Sequence, residues 1–354
     1  MEYYLFKPNI SNTDISDYFA AYFMKQIFFL AFFLFSFHFS FAQKELNVLF
    51  LGNSLTYCDS RDNAEFPYYN NMTEMLQHIA EEKKLKLHIA KAVHGRAGLA
   101  NHATFTGTDA ETTDEPFKRA DAGTVPSSVK KILGKQWDVV ALQERCDVSI
   151  LNPAQRYFST DPALRYLDSL VKQIHGKAVL YQGYAAPRPE DTDVVAAGPK
   201  SDNNCVVLDA FNFGFRAIDF FDPADEASMT GKDTTICAPP LPAGVTDVQA
   251  VNQELSKISA KTGDDVVEIG TAFEKCRKDY PAIKLYFDES ADHPSKQGAY
   301  LIACLFFRYF SGQTVGAIKY HADIPEGEAA NLRKVADAMH VTAYSKTLKT
   351  ANSK

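Results

Sequence analysis

Ser54 and His293 are the residues whose types and surroundings point most directly to chemistry. Ser54 stands in Gly52-Asn53-Ser54-Leu55-Thr56, where an apolar run stops at a glycine, an amide and a hydroxyl. Gly, Asn and Ser also make ordinary turns, so the segment by itself leaves a structural turn and a presented nucleophile both open. His293 stands in Asp292-His293-Pro294-Ser295, directly before a long apolar run. A serine hydroxyl becomes a useful nucleophile when a base takes its proton, and His293 could be that base. The base needs an orienting carboxylate, and Asp288 and Asp292 both lie close by in sequence. A tetrahedral intermediate needs donors aimed at its oxyanion. The N–H of Ser54, the N–H of Gly98 in His94-Gly95-Arg96-Ala97-Gly98 and the side-chain amide of Gln143 could supply three. Asn53 adds a further amide on the substrate side.

Elements elsewhere in the chain must bring these residues together. Short apolar runs at 46–51, 86–92, 138–143, 177–182 and 265–269 read as buried strands. Helical periodicity fills 67–84, 126–134, 162–175, 247–261, 271–280, 295–311 and 326–339. Strand and helix alternate, which predicts a doubly wound α/β fold: a three-layer α/β/α sandwich around a five-stranded, mainly parallel sheet. Ligands of such sheets sit beyond the carboxyl ends of the strands, where the residues named above fall. Residues 185–246 break the rhythm with Pro, Asp, Gly and Ala, and read as an insertion that shapes a binding rim. Within it the aromatics of 211–221, like Trp137 elsewhere, could be core or a platform for a sugar.

Composition narrows the function classes. The 354 residues are 46% apolar and 23% charged, with a net charge of -7 and no lysine/arginine block, so nucleic acid is not the expected partner. Met24–Ala42 has a basic start, a phenylalanine-rich apolar stretch and small residues at Ser40 and Ala42, the pattern of a secretory leader. The expected product is therefore secreted or periplasmic, with no stable membrane insertion once the leader is removed. Residues 1–23 do not fit a leader and are expected to derive from an upstream start. The domain plan is then 1–42 as start and leader, 43–320 as the catalytic domain with the 185–246 insertion, and 321–354 as a helical tail. Export permits disulfides. None of the six cysteines forms a CxxC pair, and Cys205 with Cys237, which flank the polar insertion, is the best candidate bridge. His94 and His102 lie eight residues apart, which matches no helical pair of metal ligands.

These segments resemble the blocks of the SGNH (GDSL-like) hydrolases over about residues 46–311. Gly52-Asn53-Ser54-Leu55-Thr56 resembles the first block with Asn in place of Asp, and Gly95–Gly98 the second, whose last glycine donates to the oxyanion. Leu142-Gln143-Glu144 resembles the third, with Gln143 standing for the usual asparagine. Residues 292–303 resemble the fifth, with His293 as base. The set is similar to a secreted, bacterial subgroup with the Gly-Asn-Ser-x-Thr form. Two positions depart from the pattern. The orienting Asp usually lies three residues before the histidine, where this chain has Ser290, which leaves Asp288, Asp292 or a dyad without carboxylate. Gln143 is one methylene longer than asparagine. The resemblance implies a serine esterase without metal or organic cofactor, acting on short acyl groups, above all O-acetyl groups, of a carbohydrate. A lipid ester or thioester hydrolase is the alternative. A glycan-binding protein that has lost catalysis is the rival from another class.

Overall fold

The structure is a computed structural model, and it describes residues 24–26, 45–59, 61–62, 69–95, 97–106, 118–119, 123–144, 156–183, 205–207, 235–237, 243–287 and 293–344. Glu45–Lys354 form one compact unit, apart from Met1–Lys44. The central strands are β1 (Leu46–Gly52), β2 (Leu87–Val93), β3 (Val139–Gln143), β4 (Lys177–Tyr181) and β5 (Asp265–Val267). They form one sheet in the order β2-β1-β3-β4-β5, and every neighbouring pair is parallel. The chain runs from β1 outward to β2, then crosses to β3 on the other side of β1. The sheet therefore has its topological switch at the carboxyl ends of β1 and β3, where an open parallel sheet leaves a crevice. Register sets Leu51 level with Leu142, so Gly52 and Gln143 end their strands side by side.

The helices between the strands are α1 (Met72–Glu82), α2 (Leu99–Thr104), α3 (Ser127–Leu133), α4 (Asp161–Gln173), α5 (Asp247–Thr262) and α6 (Ile269–Asp279), followed by α7 (Lys296–Ser311) and α8 (Glu326–Ala338). β1 is buried on both faces, and its alternate side chains feed two cores. Val48 and Phe50 pack with α1, α6, α7 and α8. Leu49 and Leu51 pack with α2, α3, α4 and α5. This is the three-layer α/β/α arrangement expected from the alternation of strands and helices. The helix of the C-terminal tail, α8, buries Ala329, Leu332, Val335 and Ala336 in the first of these cores.

The differences from the expected elements have local causes. α1 starts at Met72 rather than near Pro67, because the Asn70 side chain takes the Met72 N–H (3.1 Å) and pins the chain before the helix begins. β5 ends at Val267 because Ile269 already opens α6. α2 is six residues long, too short for a helical period to show in sequence. Trp137 is core: it is buried, and its indole N–H donates to the Lys131 carbonyl. Of the insertion, the structure describes a two-stranded antiparallel pair, Cys205–Val207 with Thr235–Cys237, in which the backbones of Cys205 and Cys237 are register partners. The rest of 185–242, including the aromatics of 211–221, and Cys146 lie outside the described residues. Cys58, Cys276 and Cys304 are buried.

α7 is the element that fixes the geometry of the site. Ser295 caps it by accepting the Gly298 N–H (3.1 Å), and 12 of its 16 residues are buried. Phe306 on α7 meets Phe50 of β1 edge-on at 5.0 Å and Tyr181 of β4 at 5.6 Å. Ser54 follows β1 and His293 precedes α7, so this packing sets the distance between them. Phe306→Ala is expected to cost about 3–5 kcal/mol, as other large-to-small core changes do. The measurement is a urea midpoint at unchanged slope. A loss below about 1 kcal/mol would show that this ring does not hold α7 to the sheet.

Candidate active site

β1 stops because Gly52 leaves room for a side chain from the neighbouring strand. A Cβ at Gly52 would overlap the Gln143 Oε1 and come within 2.6 Å of the Thr56 hydroxyl oxygen. Through that gap the Gln143 carboxamide engages the serine turn. Its Oε1 accepts the Asn53 N–H (3.2 Å) and the Thr56 hydroxyl (2.5 Å), and its Nε2 donates to Asn53 Oδ1 (3.2 Å). Asn53 Oδ1 also takes the Leu55 N–H (3.0 Å), while Asn53 Nδ2 donates to the Ala97 carbonyl (2.9 Å). The backbone closes the turn as Thr56 and Tyr57 donate to the Asn53 carbonyl at 2.9 and 3.2 Å.

A second set of donors holds the turn from outside. Asn70 Nδ2 donates to the carbonyls of Ser54 (3.0 Å) and Leu55 (2.9 Å), and the Tyr181 hydroxyl donates to the Leu55 carbonyl (3.3 Å). The Gly52 carbonyl accepts from His102 Nε2 (2.9 Å) and from the His94 N–H (3.2 Å). With its Nε2 donating, His102 accepts the Ser128 hydroxyl at Nδ1 (2.7 Å). His102 is fully buried, and burial first, then the neighbouring His94, pushes its pKa down to about 3, so it is neutral.

His293 sits at the end of a short antiparallel ladder. Tyr286 pairs with Pro294, the Phe287 N–H donates to the His293 carbonyl (2.9 Å), and the Ser295 N–H donates to the Leu285 carbonyl (2.8 Å). Gly298 lets the first turn of α7 lie against this ladder, because a Cβ there would overlap the Leu285 carbonyl and reach Pro294 at 3.1 Å. The result places His293 Nε2 2.8 Å from Ser54 Oγ, the distance at which a hydroxyl donates to a neutral imidazole. Both residues are half-buried. Asp288 and Asp292 lie outside the described residues.

The three expected oxyanion donors differ in their surroundings. The Ser54 N–H makes no hydrogen bond among the described residues. The Gly98 N–H donates to Asn101 Oδ1 (2.9 Å), a contact that caps α2. The Gln143 amide, as described, turns onto Asn53 and Thr56. Asn53 likewise commits its carboxamide to protein groups, Leu55, Gln143 and Ala97, at 2% exposure. Among the described residues, no group of three or more His, Cys, Asp and Glu stands close enough to hold a metal ion. Asn70 and Asn101 carried no role in the sequence reading, Thr56 entered it only as part of the serine block, and His102 only beside His94 as a metal ligand that the spacing disfavours. The visible signals were Asn70-Asn71 directly before α1 and Thr56 two residues after the serine, both residue types that bond nearby backbone.

Two predictions follow from this network. Gly52→Ala is expected to shift the serine turn and to slow labelling of Ser54 by a fluorophosphonate probe about 100-fold, the usual penalty for a displacement near 1 Å. A labelling rate within about threefold of wild type would show that the turn does not depend on this gap. The second concerns His102. Its folded-state pKa lies below the unfolded value near 6.5, so between those values the unfolded chain binds the extra proton. Stability is therefore full above about pH 6.5 and falls with acidification by up to about 1.4 kcal/mol per pH unit. Urea titrations from pH 7.5 to 4.5 should show this slope in wild type and a shallower one in His102→Gln; identical slopes would remove His102 as the source.

No family model and no curated protein matches the chain. Among solved structures, a DUF4886 family protein from Bacteroides uniformis aligns with 86% of this chain and 99% of its own, at 16% identity and a TM-score of 0.49. TesA aligns with 74% of this chain and 96% of its own, at 9% identity and a TM-score of 0.36. The lipase Lip_vut3 from a goat rumen metagenome aligns with 74% of this chain and 95% of its own, at 12% identity and a TM-score of 0.33.

Proposed function

We propose that the chain is a serine hydrolase of the SGNH type that cleaves carboxylic esters, chiefly O-acetyl and other short acyl groups on a carbohydrate. The observation that carries the proposal is the 2.8 Å contact between Ser54 Oγ and His293 Nε2, beside a Ser54 N–H with no partner among the described residues. The two stand at the switch point of a parallel sheet, where ligands of such folds bind.

In this mechanism the Ser54 hydroxyl gives its proton to His293 Nε2 as Oγ attacks the ester carbonyl. The Ser54 N–H meets the oxyanion. The Gly98 N–H joins it when the Asn101 side chain turns away, and Gln143 contributes the Nε2 hydrogen not given to Asn53. His293 then passes the proton to the departing alcohol, leaving an acyl-serine. Water, activated by the same imidazole, releases the acid. Asp288, with Asp292 as the alternative, is the candidate to orient the ring, and a Ser54–His293 dyad without a carboxylate is the remaining form. Export through the Met24–Ala42 leader would bring the enzyme to extracellular glycans, and the polar insertion at 185–246 suits a sugar better than a long acyl chain. Among the described residues, no helix is long and apolar enough to cross a membrane.

The test is hydrolysis of 4-nitrophenyl esters by the full chain beside Ser54→Ala. Wild type should turn over the acetate, and the variant should lose about 1000-fold or more. Rates that fall from acetyl to octanoyl support the short-acyl assignment, and the reverse order supports a lipid ester. Equal turnover by wild type and Ser54→Ala would sink the mechanism.

A further inference from the structure

We infer that Phe287 is the platform for the alcohol half of the ester, and that this alcohol presents a flat, carbon-rich face such as one side of a pyranose ring. The inference rests on the serine-esterase reading and adds to it the residue that selects the leaving group.

Phe287 is 43% exposed, in a segment whose other large apolar side chains turn inward: Ile283 and Leu285 are buried, and Tyr286 packs on Phe273 at 5.6 Å. A single exposed hydrophobe is ordinary on a protein surface. What distinguishes Phe287 is its place. Among the described residues the other exposed large apolar side chains are Met24, which precedes β1 in the chain, Val125, just before α3, and Leu133, the last residue of α3. Phe287 instead donates its N–H to the His293 carbonyl and stands directly across the ladder from it. Residues opposite each other in an antiparallel pair project from the same face, with Cβ atoms about 4.5–5.5 Å apart. Phe287, with its exposed ring, is therefore placed on the same face of the pair as His293, whose Nε2 contacts Ser54.

The chemistry decides which half of the substrate meets that ring. His293 must return the Ser54 proton to the departing oxygen, so the alcohol lies within hydrogen-bond reach of Nε2. The acyl carbonyl points the other way, toward the Ser54 N–H. The C–O bond that breaks thus separates an acyl group on the oxyanion side from an alcohol on the His293 and Phe287 side. A phenyl face offers no hydrogen bond and a broad apolar contact, which matches the C–H face of a sugar ring. The acyl-serine that follows no longer contains the alcohol, so Phe287 acts on acylation and leaves deacylation alone.

The experiment compares wild type, Phe287→Ala and Phe287→Trp, as full chains, on two acetate esters that form the same acetyl-serine. One is methyl acetate, whose alcohol is too small to reach the ring. The other is a methyl pyranoside carrying one O-acetyl group. Phe287→Ala should lower kcat/KM on the acetylated pyranoside about tenfold and change methyl acetate by less than about twofold. Phe287→Trp should restore the pyranoside rate, and the single-turnover rate of deacylation should match in all three. Equal losses on both esters would overturn the inference and place Phe287 behind His293 as a positioning residue. No loss on either ester would also overturn it, while Ser54-dependent turnover of methyl acetate would leave the esterase reading standing. Absence of Ser54-dependent turnover in wild type would overturn both.

Discussion

The serine turn depends on a carboxamide that reaches it through the space of a missing methyl group. Gln143 comes from β3 and the turn follows β1, so their contact spans the switch point of the sheet. Gly52 is required there by close approach rather than by an unusual backbone angle. Once the carboxamide is in place, the remaining choices are constrained. Thr56 must donate to the same Oε1, Asn53 must accept from Nε2, and Asn70 must take up the carbonyls on the outer side. Each such bond contributes about 1 kcal/mol net, but leaving one of these buried groups unpaired costs more. The network therefore holds together or fails together.

A second constraint links the serine to the histidine across some 240 residues of sequence. No direct covalent neighbour enforces the 2.8 Å contact. Packing enforces it: Phe306 locks α7 against Phe50 and Tyr181, and Ser295 and Gly298 then fix the ladder that carries His293 to the amino end of that helix. Close-packed interiors transmit position in this way because their side chains have few alternative arrangements. The Ser54–His293 geometry and core stability are for this reason the same problem on the α7 side of the sheet. On the opposite side, neutral His102 ties Gly52 to Ser128.

Much of this was legible in the sequence. The five strands announce themselves because a parallel strand buried on both faces is a near-continuous apolar run, as in Leu46–Gly52. α7 announces itself by its length and apolarity. The order of strands is not written in any one segment, yet alternation with helices leaves few sheets to choose from. Ser54, Gly98, Gln143 and His293 stand out in the sequence because each ends an apolar run or precedes one. Their hydrogen-bond directions do not. A Gln at a strand end can aim its amide at a ligand or at its own turn, and only the missing Cβ of Gly52 shows which space it enters. Gly98 followed by Asn101 carries the same ambiguity, since an Asn three residues into a helix can take the cap N–H. Asn70 is harder still: its partners lie 15 and 16 residues back, beyond any local pattern.

The identity of residue 53 follows from the same network. Asn53 uses its carboxamide asymmetrically, with Oδ1 accepting twice and Nδ2 donating to the Ala97 carbonyl. An aspartate could keep the two bonds to Oδ1. Its second oxygen would then face a carbonyl oxygen at 2% exposure, with no proton between them. Burying an unpaired charged acceptor costs more than the 1–3 kcal/mol typical of a neutral one. The longer Gln143 belongs to the same solution, because its Oε1 must extend far enough to take both the Asn53 N–H and the Thr56 hydroxyl. Gly-Asn-Ser on β1 and Gln on β3 are thus two halves of one fit. The turn that presents Ser54 is held by neutral amides, hydroxyls and an uncharged imidazole, which keeps charge out of the ground state around the Ser54 N–H. In the proposed reaction, that leaves the Ser54 N–H to meet the charge that develops on the substrate carbonyl.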